Sequence, residues 1–149
     1  MRVPLATGES LYGRFEFLDL IAAQGADIIQ PDVCICGGLL EMRKIAAIAE
    51  AHYVSVAPHN PMGPLATAVN VQFAAATCNF MILEYLLPTE SQWNEWVDEP
   101  YLPKDGYLEL RPGRPGLGVE VNEEAIAGNE YIHWQRTCPV RPDGSTGYI

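Results

Sequence analysis

The chain has 149 residues, 48% hydrophobic and 19% charged, a balance that builds one folded domain with a real core and excludes a disordered chain. Its formal net charge of -10 argues against a nucleic-acid groove or an anionic membrane surface as partner. An anionic substrate would need a positive charge brought to it, and a bound divalent cation suits so acidic a chain.

Four cysteines, Cys34, Cys36, Cys78 and Cys138, include no C-x-x-C spacing of a zinc knuckle or redox site. Reduced, mostly buried thiols in a cytoplasmic protein are expected. Cys34 and Cys36 would face one way on an extended segment, but no histidine stands at ligand spacing to make them a soft-metal site. Arg2 and Pro4 open the chain without an apolar stretch behind them, and no run reaches the ~20 apolar residues of a membrane span. The expectation is a protein neither exported by a cleavable signal nor crossing a membrane.

Val3 to Glu9 is the first strand candidate, closed by Gly8. Between Arg14 and Gln24, Leu18, Ile21 and Ala22 recur at helical spacing, with Gly25 placed as the stop. Asp27 to Asp32 repeats the pattern, a short strand ending in a proline and an acid. After Gly37 and Gly38 a helix carries Leu39, Met42, Ile45 and Ala49 on one side and Glu41, Arg43, Lys44 and Glu50 on the other. Val54 to His59 is the third strand, and Pro64 opens a third helix marked by Leu65, Val69, Phe73 and Ala76. Phe80 to Glu84 is the fourth strand, apolar until its terminal carboxylate, as expected in a buried parallel sheet.

The stretch from Val54 to Pro64 organises the rest. Pro58 and Pro61 cannot donate to a ladder and fix their own φ, so they end the strand and stiffen the turn that presents His59. Glu9, Asp32, His59 and Glu84 each stand at a strand's carboxyl end, one strand-helix unit apart. In a parallel βα repeat equivalent positions point into the same mouth, so four ionisable side chains should converge. Any single acid after a strand is commonly a helix cap or a solvated loop residue; four in consecutive units point to a shared site.

Beyond Leu86 the character changes. Pro88, Pro100, Pro103, Pro112, Pro115, Pro139 and Pro142 break the tail into short pieces. Tyr107 to Leu110 and Gly118 to Val121 form a candidate β-hairpin across the Arg-Pro-Gly-Arg-Pro-Gly loop. The glycines of that loop are not a phosphate cradle, because no strand runs from them into a helix. Trp93, Trp96, Tyr131 and Trp134 read as docking surface.

With these residues in view the chain resembles the enolase superfamily, in its mandelate racemase and muconate lactonizing-like branch, and most closely the galactonate dehydratase-like sugar-acid dehydratases. The matching pieces are Ala6-Thr7-Gly8-Glu9, Ile29-Gln30-Pro31-Asp32 with Gly37-Gly38, Ala57-Pro58-His59-Asn60-Pro61 with Gly63-Pro64, and Leu83-Glu84. In the tail, Arg114-Pro115-Gly116-Leu117-Gly118 and Asp143-Gly144-Ser145 also match. The Pro-His-Asn-Pro turn is the most specific of them.

The resemblance implies the C-terminal half of a modified TIM barrel, about four βα units over residues 1–87, and a Pro-rich tail over 88–149 that would pack on a capping domain absent from this chain. It implies that the reaction begins with loss of the proton beside a carboxylate. Carried over by position, His59 would be the base and Asp32 the partner that orients it. Glu9 would be the last of three carboxylates holding Mg2+. Glu84 would hydrogen-bond the substrate carboxylate as it becomes an enediolate, a donor role that needs a protonated carboxyl. A whole barrel takes about 250 residues; the other metal carboxylates, the acid for the leaving hydroxyl and the specificity lid would lie upstream of Met1. The expected function is magnesium-dependent dehydration of a sugar acid, galactonate-like, to a 2-keto-3-deoxy acid. A racemase or epimerase of the same superfamily and a catalytically incomplete half-barrel stand as alternatives. The expected partners are the sugar-acid substrate and a second copy or an upstream half-barrel, since the sheet has edges to pair.

Overall fold

The computed structural model describes residues 3–86, 95–128, 130, 133 and 139–145. Three βα units follow one another: β1 (Ala6–Thr7), α1 (Gly13–Ala22), β2 (Ile28–Ile29), α2 (Leu39–Ala51), β3 (Ser55–Val56) and α3 (Pro64–Ala75). A short α4 (Glu123–Ala127) lies in the tail. The strands make one parallel sheet in the order β1-β2-β3, with Ala6 opposite Ile28 and Ile28 opposite Ser55.

Each strand is shorter than the pattern predicts, and the prolines explain it. Ala57 N donates to Ile29 O at 2.9 Å, but the next residue that would donate back to β3 is Pro31, which has no N–H. On the other side Val56 N donates to Asn79 O and Met81 N to Val56 O, and there the next donor would be Pro58. The expected fourth strand, Phe80 to Glu84, is therefore a single parallel bridge between Val56 and Phe80, followed by one bond from Glu84 N to Pro58 O at 3.4 Å.

The helices cover the sheet with faces that partly differ from expectation. In α1 the buried pair is Phe17 and Ile21, one turn apart, while Leu18 is 40% exposed and Ala22 open to solvent. In α2 Met42, Ile45 and Ala49 are buried as expected and Ala46 joins them; Leu39 stays outside. Glu41, expected in solvent, turns to Arg14, whose Nη1 reaches both carboxylate oxygens at 2.8 and 2.7 Å and ties α1 to α2. In α3 Phe73 is buried, but the rest of the inward surface is small or polar: Ala66, Thr67, Ala68 and Asn70, with Val71. Phe17, Ile29, Met42, Ile45, Val56 and Phe73 form the centre of the main core. Among the described residues no helix is long and apolar enough to cross a membrane.

The tail returns to the outer side of α3. Tyr101 is buried against Ala68 and Val71, its hydroxyl donates to Leu117 O at 3.2 Å, and Gln72 Nε2 donates to it at 3.3 Å. Arg111 stacks 4.2 Å from the Tyr101 ring centroid and donates to the carbonyls of Glu99, Pro100 and Gly118. These bonds replace the expected hairpin. Val121 pairs antiparallel with Val97 and Tyr107 with Lys104, because Glu120 O is taken by Asp98 N and Gly118 O by Arg111. Trp93, Tyr131, Trp134 and Cys138 lie outside the described residues.

Two outcomes follow for stability. Phe17→Ala removes a fully buried ring from under the β1 turn and should cost about 3–5 kcal/mol, read as a lowered urea midpoint with unchanged slope. Asp98 accepts from Glu120 N and from Arg114, and these bonds hold its carboxyl down to about 2. A folded-state value below the unfolded one gives stability that is present above about pH 4 and is lost as pH falls toward 2. Asp98→Asn should flatten that part of the acid limb in a pH series of denaturant midpoints, by a small amount since the group is exposed.

Candidate active site

The turn after each strand sets one side chain. Gly8 ends β1 with φ +123°, and a Cβ there would come 2.8 Å from Phe17 Cε1, so the backbone lies directly on the ring before Glu9 emerges. After Pro31, Asp32 opens a tight turn in which its own carbonyl accepts from Ile35 N and Cys36 N and its Oδ1 accepts from Cys34 N at 2.7 Å. After Pro58, His59 pairs with Asp32 across an isolated parallel bridge. Glu84 closes the fourth segment.

The structure brings all four expected residues together. Asp32, 1% exposed, accepts from His59 Nδ1 at 2.8 Å. The opposite ring nitrogen, Nε2, lies 3.6 Å from Glu9 Oε2 and 3.9 Å from Glu84 Oε2. Exposure rises outward from 1% at the Asp32 side chain through 18% at His59 to 38% at Glu84 and 59% at Glu9. The imidazole is thus fixed at its buried edge and open at the other. A carboxylate has no proton to give, so the hydrogen on the bonded edge belongs to Nδ1 and the Nε2 lone pair faces the mouth.

Sequence reading passed over Asn60. It is 3% exposed; its N–H donates to Glu84 Oε2 at 3.0 Å and its side chain bonds Glu84 O, Thr67 and Asn70. The available signal was Thr67 and Asn70, polar residues among the apolar ones of α3, seven and ten positions after Asn60.

Among the described residues the cysteine thiols take no part. Residues 33–37 are a turn, not the expected extended segment, and of the described thiols only Cys36 is buried while Cys34 and Cys78 are exposed. Burial, then Asp32, pushes the Cys36 thiol up to about 11 and shifts Cys34 the same way, so both stay protonated at neutral pH. Among the described residues no group of three or more His, Cys, Asp or Glu is arranged to hold a metal ion. Glu9 offers one open carboxylate, an oxygen donor of the kind hard cations prefer, and that alone does not make a magnesium site.

The fixed tautomer can be observed directly. In long-range 1H–15N spectra taken where the ring is neutral, His59 should carry its proton on Nδ1. Asp32→Ala should move the population toward the Nε2 form, and an unchanged pattern would mean the carboxylate does not set it.

The family model described as enolase C-terminal domain-like matches residues 1–125. D-xylonate dehydratase from Haloferax volcanii is 39% identical over 123 residues, covering 83% of this chain and 30% of that protein. D-galactonate dehydratase from Verminephrobacter eiseniae is 39% identical over 142 residues, 92% of this chain and 36% of that protein. Among solved structures, an enolase from Agrobacterium radiobacter, a candidate galactarate dehydratase bound to sodium and L-malate, superposes with a TM-score of 0.88 at 60% identity, covering 96% of this chain and 40% of that one. The chain therefore spans 30–40% of the length of these relatives.

Proposed function

Because the chain belongs to the enolase C-terminal domain-like family, we propose that it is the base-bearing part of a sugar-acid dehydratase. His59 Nε2 takes the proton on the carbon next to the substrate carboxylate. The electron pair moves onto the carboxylate as an enediolate and then expels the β-hydroxyl, which takes a proton from an acid outside the described residues and leaves as water, so that the enol left behind becomes a 2-keto-3-deoxy acid. The observation that carries this reading is the imidazole itself, held by buried Asp32 at Nδ1 with Nε2 facing Glu9 and Glu84.

The remaining roles follow from where charge develops. Asp32 keeps the base in the required tautomer and offsets the imidazolium once the proton has moved. Glu84, as a protonated carboxyl, donates to a substrate carboxylate oxygen as it gains charge. Glu9 supplies one oxygen ligand to a magnesium ion, whose other donors come from outside the described residues. The substrate is an aldonate of the galactonate or xylonate type, the acids named for the relatives; the 60%-identical enolase brings the dicarboxylic galactarate into consideration as well. A second copy or the remaining half of the barrel is the expected partner.

The test is formation of 2-keto acid from galactonate, xylonate and galactarate with magnesium, by the chain alone and after fusion to the part of the Agrobacterium relative that this chain does not cover. His59→Ala should lower kcat by roughly 10²–10⁴-fold while calorimetric magnesium affinity stays nearly the same, and Glu9→Gln should weaken the metal first. Parallel loss of metal affinity in His59→Ala would mean the roles are misassigned. A completed barrel that turns over none of these acids would overturn the dehydratase reading.

A further inference from the structure

We propose that Asn60 is a positioning residue that fixes which oxygen of Glu84 is available to a substrate, and that Thr67 and Asn70 on α3 exist to hold Asn60. The Asn60 N–H donates to Glu84 Oε2 at 3.0 Å, and the imidazole approaches the same oxygen at 3.9 Å. Both contacts fall on Oε2, which leaves Oε1 to carry a proton or meet a ligand. Pro61 narrows the conformations open to Asn60, the residue before it, which helps the backbone N–H hold this direction.

The side chain of Asn60 locks the arrangement from below. Its Nδ2 donates to Thr67 Oγ1 and to Glu84 O, both at 3.0 Å, so one amide spans α3 and the fourth segment. Thr67 passes its own proton to Gly63 O at 3.1 Å. Asn60 Oδ1 accepts from Asn70 Nδ2 at 3.0 Å.

Asn70 is the informative member. It is fully buried, yet its Oδ1 is the one buried side-chain nitrogen or oxygen among the described residues without a hydrogen-bond partner. An orphaned carbonyl in a core is costly, and an apolar residue of similar size would remove that cost while taking from Asn60 Oδ1 its 3.0 Å donor and leaving it only Thr67 Oγ1 at 3.4 Å. What Asn70 provides in return is the bond to Asn60. A buried polar residue with an orphaned carbonyl, whose amide donates to the candidate catalytic turn, is what a positioning role predicts.

The geometric part of the proposal is independent of the dehydratase reading; its consequence for turnover rests on that reading. In the 149-residue chain, amide hydrogen exchange at Asn60 should accelerate roughly tenfold or more in Glu84→Ala, and likewise in Asn70→Leu, while the Phe73 amide of α3 keeps its protection. Asn70→Leu should leave the denaturation midpoint nearly unchanged, because it removes the orphaned Asn70 Oδ1 while taking a donor from Asn60 Oδ1. In the fusion that completes the barrel, Asn70→Leu should lower kcat roughly tenfold with KM held, the split expected when a group is misplaced and not lost. Unchanged Asn60 exchange in both variants would overturn the proposal, as would an Asn70→Leu protein that is simply less stable with normal exchange and kcat. If the wild-type fusion has no activity, the dehydratase reading fails and exchange alone decides the role of Asn60.

Discussion

Pro31 and Pro58 each remove one N–H from the parallel ladder, and the layout of the mouth follows from where that ladder stops. A strand that continued pairing would keep its backbone in the sheet and alternate its side chains between the two faces. Here the ladder is interrupted at Pro31 and Pro58, just past the core residues Ile29 and Val56, and resumes only as the single parallel bridge of Asp32 and His59, where the two side chains meet. Their 2.8 Å bond adds a side-chain tie to that bridge where the interrupted ladder is weakest. The sheet is short because the site begins so early.

Much of this was legible in the sequence because it is a matter of spacing. Acid, acid, histidine and acid, one βα unit apart, converge in any parallel repeat, and they do converge here. The order of elements was equally plain, since apolar runs and proline or glycine punctuation mark each unit. What could not be read was which face of α1 turns inward. Phe17 and Leu18 are adjacent and both apolar, and only the position of Gly8 above the ring decides between them. The tail misled for a related reason. Alternation in 107–110 and 118–121 suggests a hairpin, but Arg111 and Asp98 satisfy those backbone groups from the side, a pairing between side chain and main chain that no periodicity reveals.

Asn60 shows a different limit. Its neighbours in the chain drew attention to the histidine, whereas its partners lie on a helix that begins several residues later. Buried polar networks are specified by three-dimensional closure, and each member alone looks like an ordinary loop or helix residue. The network also separates two tasks within one turn. His59 is held from the β2 side by Asp32, while Glu84 is held from the α3 side by Asn60, so the two groups facing the mouth do not share a support.

The contact between Gly8 and Phe17 carries a consequence for anyone recombining barrels of this kind. Glu9 leaves the sheet from a backbone that rests on an aromatic ring contributed by the helix after it, at a glycine where a methyl group would collide with that ring. The strand end and the helix are therefore one transplantable unit. A crossover placed between residues 8 and 17 would bring a foreign helix under a native turn, and the fit would depend on an aromatic at that one position. A junction after α1 keeps the carboxylate and its floor together.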